Sequence, residues 1–146
     1  MKKRRSPLSK LNAIISGIGE LPPIKQSRGL RTLDLLASAA RLAIEDAGLK
    51  KEDIDGLLVA PASEDTAFMW PSQVAEYLQL TPAFMNVVEL GGASAAGSVY
   101  RAALLISSGI CRHCLCLSGG AWEPDVFNSL EGKTAVMSAA EIGFEL

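Results

Sequence analysis

Apolar positions along this chain follow two rhythms: short β-branched runs bounded by turn formers, and longer stretches at helical spacing. Ala13-Ile14-Ile15-Ser16-Gly17-Ile18-Gly19 is a run of the first kind and predicts an opening strand. Pro22, Pro23 and Gly29 then mark a loop. The clearest helix follows, with Thr32 as its predicted N-cap and Gly48 just past its end. Leu33, Leu36, Ala40, Ala43 and Ala47 share one stripe, which Leu35, Ala39 and Leu42 widen, so this helix is expected to pack on a sheet. Gly56-Leu57-Leu58-Val59-Ala60 predicts a second strand, stopped by Pro61, and Pro71 sits well at the start of a second helix carrying Val74, Ala75, Tyr77 and Leu78. Met85-Asn86-Val87-Val88-Glu89-Leu90 reads as a third strand, Gly91-Gly92 as a sharp turn, and residues 94–108 as a third helix. Its Ala95, Val99, Ala102, Ala103 and Ile106 make it apolar nearly all round, which predicts a central position. Residues 111–117 predict a fourth strand; beyond Trp122 the pattern fades.

Strands separated by helices pair in parallel through crossovers. The expected fold class is therefore α/β, three-layered, with a mostly parallel sheet and helices on both faces. Residues 1–12 form a basic tail, residues 13–128 the domain, and residues 129–146 an incomplete segment. Half the residues are apolar (49%), enough for one real core, and few are aromatic, so small aliphatic side chains must carry that core. A net charge of −2 gives no reason to expect nucleic acid or a membrane surface as partner. Lys2-Lys3-Arg4-Arg5 could open a signal peptide, but Ser6, Pro7, Ser9 and Lys10 interrupt any apolar core behind it. No apolar run approaches membrane-spanning length, and a cytoplasmic location is expected.

Three groups of residues invite a chemical reading. Gly17-x-Gly19 resembles a dinucleotide fingerprint, but Pro22 occupies the third glycine position and no helix starts at the turn. Cys111-Arg112-His113-Cys114-Leu115-Cys116 invites a metal or redox reading. In a strand, however, His113 and Cys114 point to opposite faces, so no metal site is expected. Cys114 and Cys116 are read as small buried apolar residues. The strongest signal is Glu89-Leu90-Gly91-Gly92-Ala93-Ser94-Ala95-Ala96-Gly97, a strand, a tight turn and a helix that begins with tiny residues. That geometry lifts one group above the sheet at a positive helix end and suits attack on a thioester. Ser94 is the one nucleophile type at the turn. Its alternative role is an N-cap, with Gly91-Gly92 serving only close packing.

Here the sequence resembles the thiolase superfamily, in particular the sterol-carrier-type, acetyl-CoA acetyltransferase-like branch. The residues that carry the resemblance are the opening run from Ala13 to Gly19, Ala43-Ile44-Glu45-Asp46-Ala47-Gly48-Leu49, Asp53-Ile54-Asp55-Gly56-Leu57, and Gly92-Ala93-Ser94-Ala95 with Ala102 and Gly109. The resemblance implies a nucleophilic cysteine at the turn, followed by a small residue, Ser and Gly. Gly92 stands at the cysteine position, Ala93 and Ser94 match, and Ala95 replaces the glycine. It also implies a two-half fold whose second half supplies a histidine and a second cysteine. This chain then corresponds to one half, as a fragment, a truncated reading frame or a split subunit, inactive alone. The implied activity is acyltransferase chemistry in lipid metabolism, making or breaking a carbon–carbon bond in a coenzyme A thioester, with no covalently bound cofactor. The alternatives are a non-catalytic scaffold that holds acyl-CoA, or a retro-aldolase subunit working with a small partner protein. By resemblance the third strand, residues 86–90 (Asn86-Val87-Val88-Glu89-Leu90), joins two copies into a homo-oligomer.

Overall fold

The computed structural model describes residues 11–24, 29–61 and 69–121. Helix α1 (Thr32–Asp46) leads through a 3-10 turn at Lys51–Asp53 into strand β1 (Gly56–Val59). Helix α2 (Trp70–Leu78), strand β2 (Phe84–Val87), helix α3 (Ser94–Ser107) and strand β3 (Cys114–Leu117) follow. The sheet runs β2-β1-β3 and is parallel throughout, with Gly56 opposite both Phe84 and Cys114. β1 is central, and all four of its residues are buried. A strand covered on both faces has no reason to alternate, which is why Leu57-Leu58-Val59 reads as a continuous apolar run.

Each face of the sheet has its own cluster. Leu57, Val59, Leu115 and Leu117 meet Leu36, Ala40 and Ile44 of α1 and Val74, Ala75 and Leu78 of α2. Leu58 and Val88 meet Ala102 and Leu105 of α3. Each fully buried Leu or Val contributes about 1.5–3 kcal/mol relative to its exposed state. The result is the three-layer α/β half-domain expected from the pattern. Trp70 closes the first cluster, and its indole N–H donates to Ala60 O at 3.2 Å. Among the described residues, no helix is long and apolar enough to cross a membrane.

Gly48 ends α1 with φ +65°, its N–H bonding Glu45 O while Leu49 N–H bonds Ile44 O. This is the paired closure that a left-handed residue permits. The start of α1 differs from expectation. Arg31 is the N-cap, and Asp34 turns back to accept the Arg31 N–H at 2.8 Å. Thr32 is already helical and buried, and its hydroxyl accepts the Ala121 N–H at 3.1 Å, tying α1 to the loop after β3.

The expected opening strand is also corrected. Residues 13–19 have no ladder partner and lie along α1 instead. A methyl on Gly17 would fall 2.3 Å from Ala43 O, and one on Gly19 2.1 Å from Ala39 O. The two glycines therefore serve close approach to a helix backbone and have no phosphate-binding geometry. Ile18 N–H donates to Asp46 Oδ2 and Asn12 N–H to Ser107 Oγ, both at 2.9 Å. Ile14, Ile15 and Ile18 remain exposed, Ile14 by 87%. α3 buries Ser94, Ser98, Ala102 and Leu105 on the sheet but leaves Val99, Tyr100 and Leu104 exposed, so among the described residues it is covered on one face only. The expected segment 129–146 and the first ten residues of the basic tail lie outside the described residues.

Candidate functional site

The turn between β2 and α3 is built by residues 88–98. Val88, 1% exposed, continues the ladder through its N–H to Val59 O at 3.0 Å. The chain then reverses at Gly91, whose φ of +55° is a conformation glycine adopts without penalty. Ala93 N–H bonds Leu90 O and Ser94 N–H bonds Gly91 O, both at 3.1 Å. Ser94, the first residue of α3, is buried. Its hydroxyl accepts the Leu90 N–H at 2.9 Å and donates to Gly91 O at 2.7 Å. One turn on, Ser98 Oγ donates to Ser94 O at 2.9 Å. A methyl on Gly97 would sit 2.4 Å from Leu90 Cδ1 and 3.3 Å from Val88 Cγ1, so glycine there lets the helix start lie against the strand end.

Gly92 differs from its neighbours. It is exposed, its φ lies outside the left-handed region, and a Cβ built on it meets no atom of the described residues within 4 Å. The position has room for a side chain and carries a hydrogen. Ser94 does carry a hydroxyl, but both of its polar functions close the turn, and its proton points at a carbonyl. The chain's single histidine lies at the other end of the sheet. His113 immediately precedes β3 at the amino ends of the strands, whereas the turn follows their carboxyl ends, roughly 10 Å or more away.

At that amino end Asp55 fixes the start of β3. Its carboxylate accepts the Arg112 N–H at 2.9 Å and the His113 N–H at 2.8 Å, and Asp55 N–H returns to His113 O. His113 Nδ1 lies 3.0 Å from Asp53 O. The predicted fourth strand is shorter than expected, because Cys111 stands before the ladder begins. Cys114 and Cys116 share one face and are half-buried, while Cys111 is buried. Burial, with Asp55 nearby, pushes the Cys111 thiol up. The interaction between these two neighbouring thiols holds Cys116 below its ordinary value and Cys114 well above. Among the described residues, no group of three or more His, Cys, Asp or Glu could hold a metal ion.

A third group was not singled out from the sequence. Tyr77 of α2 donates a short hydrogen bond to Asp34 of α1, and the Arg31 guanidinium lies 5.7 Å from the Tyr77 ring centre. The Tyr77 hydroxyl, then the Arg31 backbone, hold the Asp34 carboxyl below its usual range, and Asp34 in turn raises the Tyr77 phenol. This cluster is exposed and ties α1 to α2. Nothing in residue spacing joins positions so far apart.

A three-layer parallel half-domain with a glycine turn leading into a helix that packs on the sheet is thiolase-like, and known proteins bear this fold out. No family model matches the chain. A steroid side-chain-cleaving aldolase of Thermomonospora curvata is 34% identical over 106 residues, covering 71% of this chain and 26% of that protein. A beta-ketoacyl-(acyl-carrier-protein) synthase III of Cereibacter sphaeroides is 41% identical over 97 residues, covering 62% of this chain and 28% of the synthase. The solved structure of an Ltp2-ChsH2(DUF35) aldolase superimposes with a TM-score of 0.62 at 27% identity, covering 90% of this chain and 34% of that one. The chain thus spans about a quarter of the length of these curated relatives.

Proposed function

We propose that this chain supplies the N-terminal, thiolase-like part of an enzyme that cleaves a carbon–carbon bond in a coenzyme A-linked substrate by retro-aldol chemistry, without an acyl-enzyme. The observation that carries this reading is Gly92, an open and unstrained position at the head of the turn with no nucleophile on it. Acyl transfer through a covalent intermediate needs such a nucleophile beside a base. Ser94 is buried and committed to the turn, and the histidine lies at the far end of the sheet. A retro-aldol step needs no nucleophile at this turn, and its base can stand outside this chain. A base removes the proton of the β-hydroxyl and the carbon–carbon bond opens to a carbonyl. The electron pair is then held as the thioester enolate until it is protonated. Similarity to two aldolases supports this choice.

The base and the proton donor belong to the remainder of a longer protein, to a separate C-terminal half or to a small partner subunit. The acyl-CoA is substrate, and this chain is inactive by itself. The outer edge of the sheet at β2 joins two copies. A second reading, acyl transfer, is favoured by the similarity to the synthase but requires a thiol that Gly92 does not provide. The test uses the chain with whatever partner co-purifies, fed with a 3-hydroxyacyl-CoA and, separately, with acetoacetyl-CoA and coenzyme A. Release of a carbonyl product from the first is expected. Steady thiolysis of the second, above a Ser94→Ala control, overturns the reading.

A further inference from the structure

Two thiols, Cys111 and Cys114, meet beside Gly56 at the amino end of the sheet, and a third, Cys116, lies further along β3 opposite Leu58. Cys111 precedes β3, Cys114 opens it, and Cys116 lies two residues further on the same face. All three pack with Leu58, Val88, Ala102 and Leu105 beneath α3. Gly56 stands opposite Cys114 in the ladder. A methyl at Gly56 would lie 3.0 Å from Cys111 Sγ and 3.1 Å from Cys114 Sγ. Its φ lies outside the left-handed region, so the glycine there makes room for two sulfurs that border the same small volume.

We propose that Cys111, Cys114 and Cys116 form an oxidation site in which a hydroperoxide drives closure of a Cys111–Cys114 disulfide over Gly56. Oxidation enters at Cys116, which is half-buried rather than sealed and lies two residues from Cys114 on the same face of β3. Its thiolate attacks the hydroperoxide; a sulfur–oxygen bond forms, the oxygen–oxygen bond breaks, and the alcohol departs with a proton, leaving a sulfenic acid. The Cys114 sulfur then attacks that of Cys116. A disulfide forms, and the hydroxyl leaves as water with the Cys114 proton. Two residues along a strand put the Cα atoms about 6.6 Å apart, at the wide end of the disulfide range, so this bond is readily opened. Cys111 attacks the Cys114 sulfur, forming the final bond and returning Cys116 as a thiol. In sum, two thiols become one disulfide and the hydroperoxide becomes alcohol and water.

Hydrogen peroxide is added to the purified chain and followed by intact mass and by peptide mapping without reduction, with the exposed Met69 and Met85 as internal controls. Loss of two hydrogens is expected, with the bond mapped to Cys111–Cys114. Cys116→Ser should slow closure several-fold. Cys114→Ser should abolish it and leave a dimedone-trappable sulfenic acid on Cys116. Conversion of the two methionines to sulfoxide with no loss of two hydrogens overturns the proposal, as does a disulfide mapped to Cys114–Cys116 alone or an unchanged rate in Cys116→Ser. The wild-type map alone decides the pairing should a variant fail to fold.

Discussion

Gly92→Cys tests the turn directly. A side chain at this position meets no atom within 4 Å and the backbone is not left-handed, so the substitution carries no steric cost. Replacing a glycine by a residue that tolerates the same conformation also restricts the unfolded chain, which stabilises by about 0.4–1 kcal/mol. The new thiol stands two residues before α3 begins. A helix start stabilises an exposed negative charge by about 0.3–1 kcal/mol. At 1.36 kcal/mol per unit, this lowers the thiol by roughly 0.2–0.7 units from its ordinary value. The thiolate population at pH 7 then rises roughly two- to fivefold over a free cysteine. Iodoacetamide alkylation at pH 7, resolved for each cysteine by peptide mapping, should show Cys at this position reacting well ahead of Cys111 and Cys114, which burial and hydrogen bonding hold protonated. A rate no faster than theirs would refute the helix-start geometry. Thiolysis of acetoacetyl-CoA should remain absent in the same variant, because no histidine stands near the turn.

Ser94→Ala removes one bond to Leu90 N–H and one to Gly91 O. It should lower stability by about 1–2 kcal/mol, read as a shift in the urea midpoint; no change would mean the hydroxyl does not close the turn. Tyr77→Phe should loosen the tie between α1 and α2 in a pH-dependent way. Because the folded Asp34 carboxyl lies below its unfolded value, the stability it contributes is present above the ordinary carboxylate range and is lost as pH falls through the folded value. Wild type and Tyr77→Phe should therefore differ in thermal midpoint at pH 6 and draw together as pH falls below the ordinary carboxylate range; a constant difference contradicts this. Phe84 N–H and Val88 N–H donate toward β1, so the alternate residues Met85 and Val87 turn theirs outward. Met85→Pro should accordingly spare the sheet and halve the mass seen by sedimentation velocity if two copies join at this edge. A wild-type monomer at tens of micromolar would remove that interface from the proposal.

Most of the fold was legible because periodicity reports burial. The run at Leu57-Leu58-Val59 lies in a strand buried on both faces, and the stripe through Leu33, Leu36, Ala40 and Ala43 faces the sheet as its spacing requires, joined there by Ile44, which the stripe did not include. What was not legible depends on partners distant in sequence. Residues 13–19 have strand composition, yet composition does not supply a neighbour with free backbone groups, and here the neighbour is a helix. Thr32 has the chemistry of an N-cap, but the helix begins one residue earlier, where Asp34 and Leu35 N–H bond Arg31 O, and the Thr32 hydroxyl accepts from Ala121 instead. Cys111 belongs to the same apolar stretch as β3, but Asp55 captures the two N–H groups that follow it and delays the ladder to Cys114.

The glycines show where local pattern and tertiary demand part. Gly91 could be read as a turn former, since its need for positive φ is local. Gly56 and Gly97 could not, because each exists for a contact with a residue elsewhere in the chain: sulfurs across the ladder for Gly56, and the end of the preceding strand for Gly97. Gly92 satisfies neither kind of demand. It needs no special backbone and crowds nothing among the described residues, so their packing does not require a glycine there. A residue that the fold would allow to be almost anything, at the head of a turn built to present a side chain, is best understood through its chemistry. Glycine at that point withholds a nucleophile while leaving the turn and the helix start intact. That combination supports the proposed reading, in which the carbon–carbon bond is broken without attack from this turn.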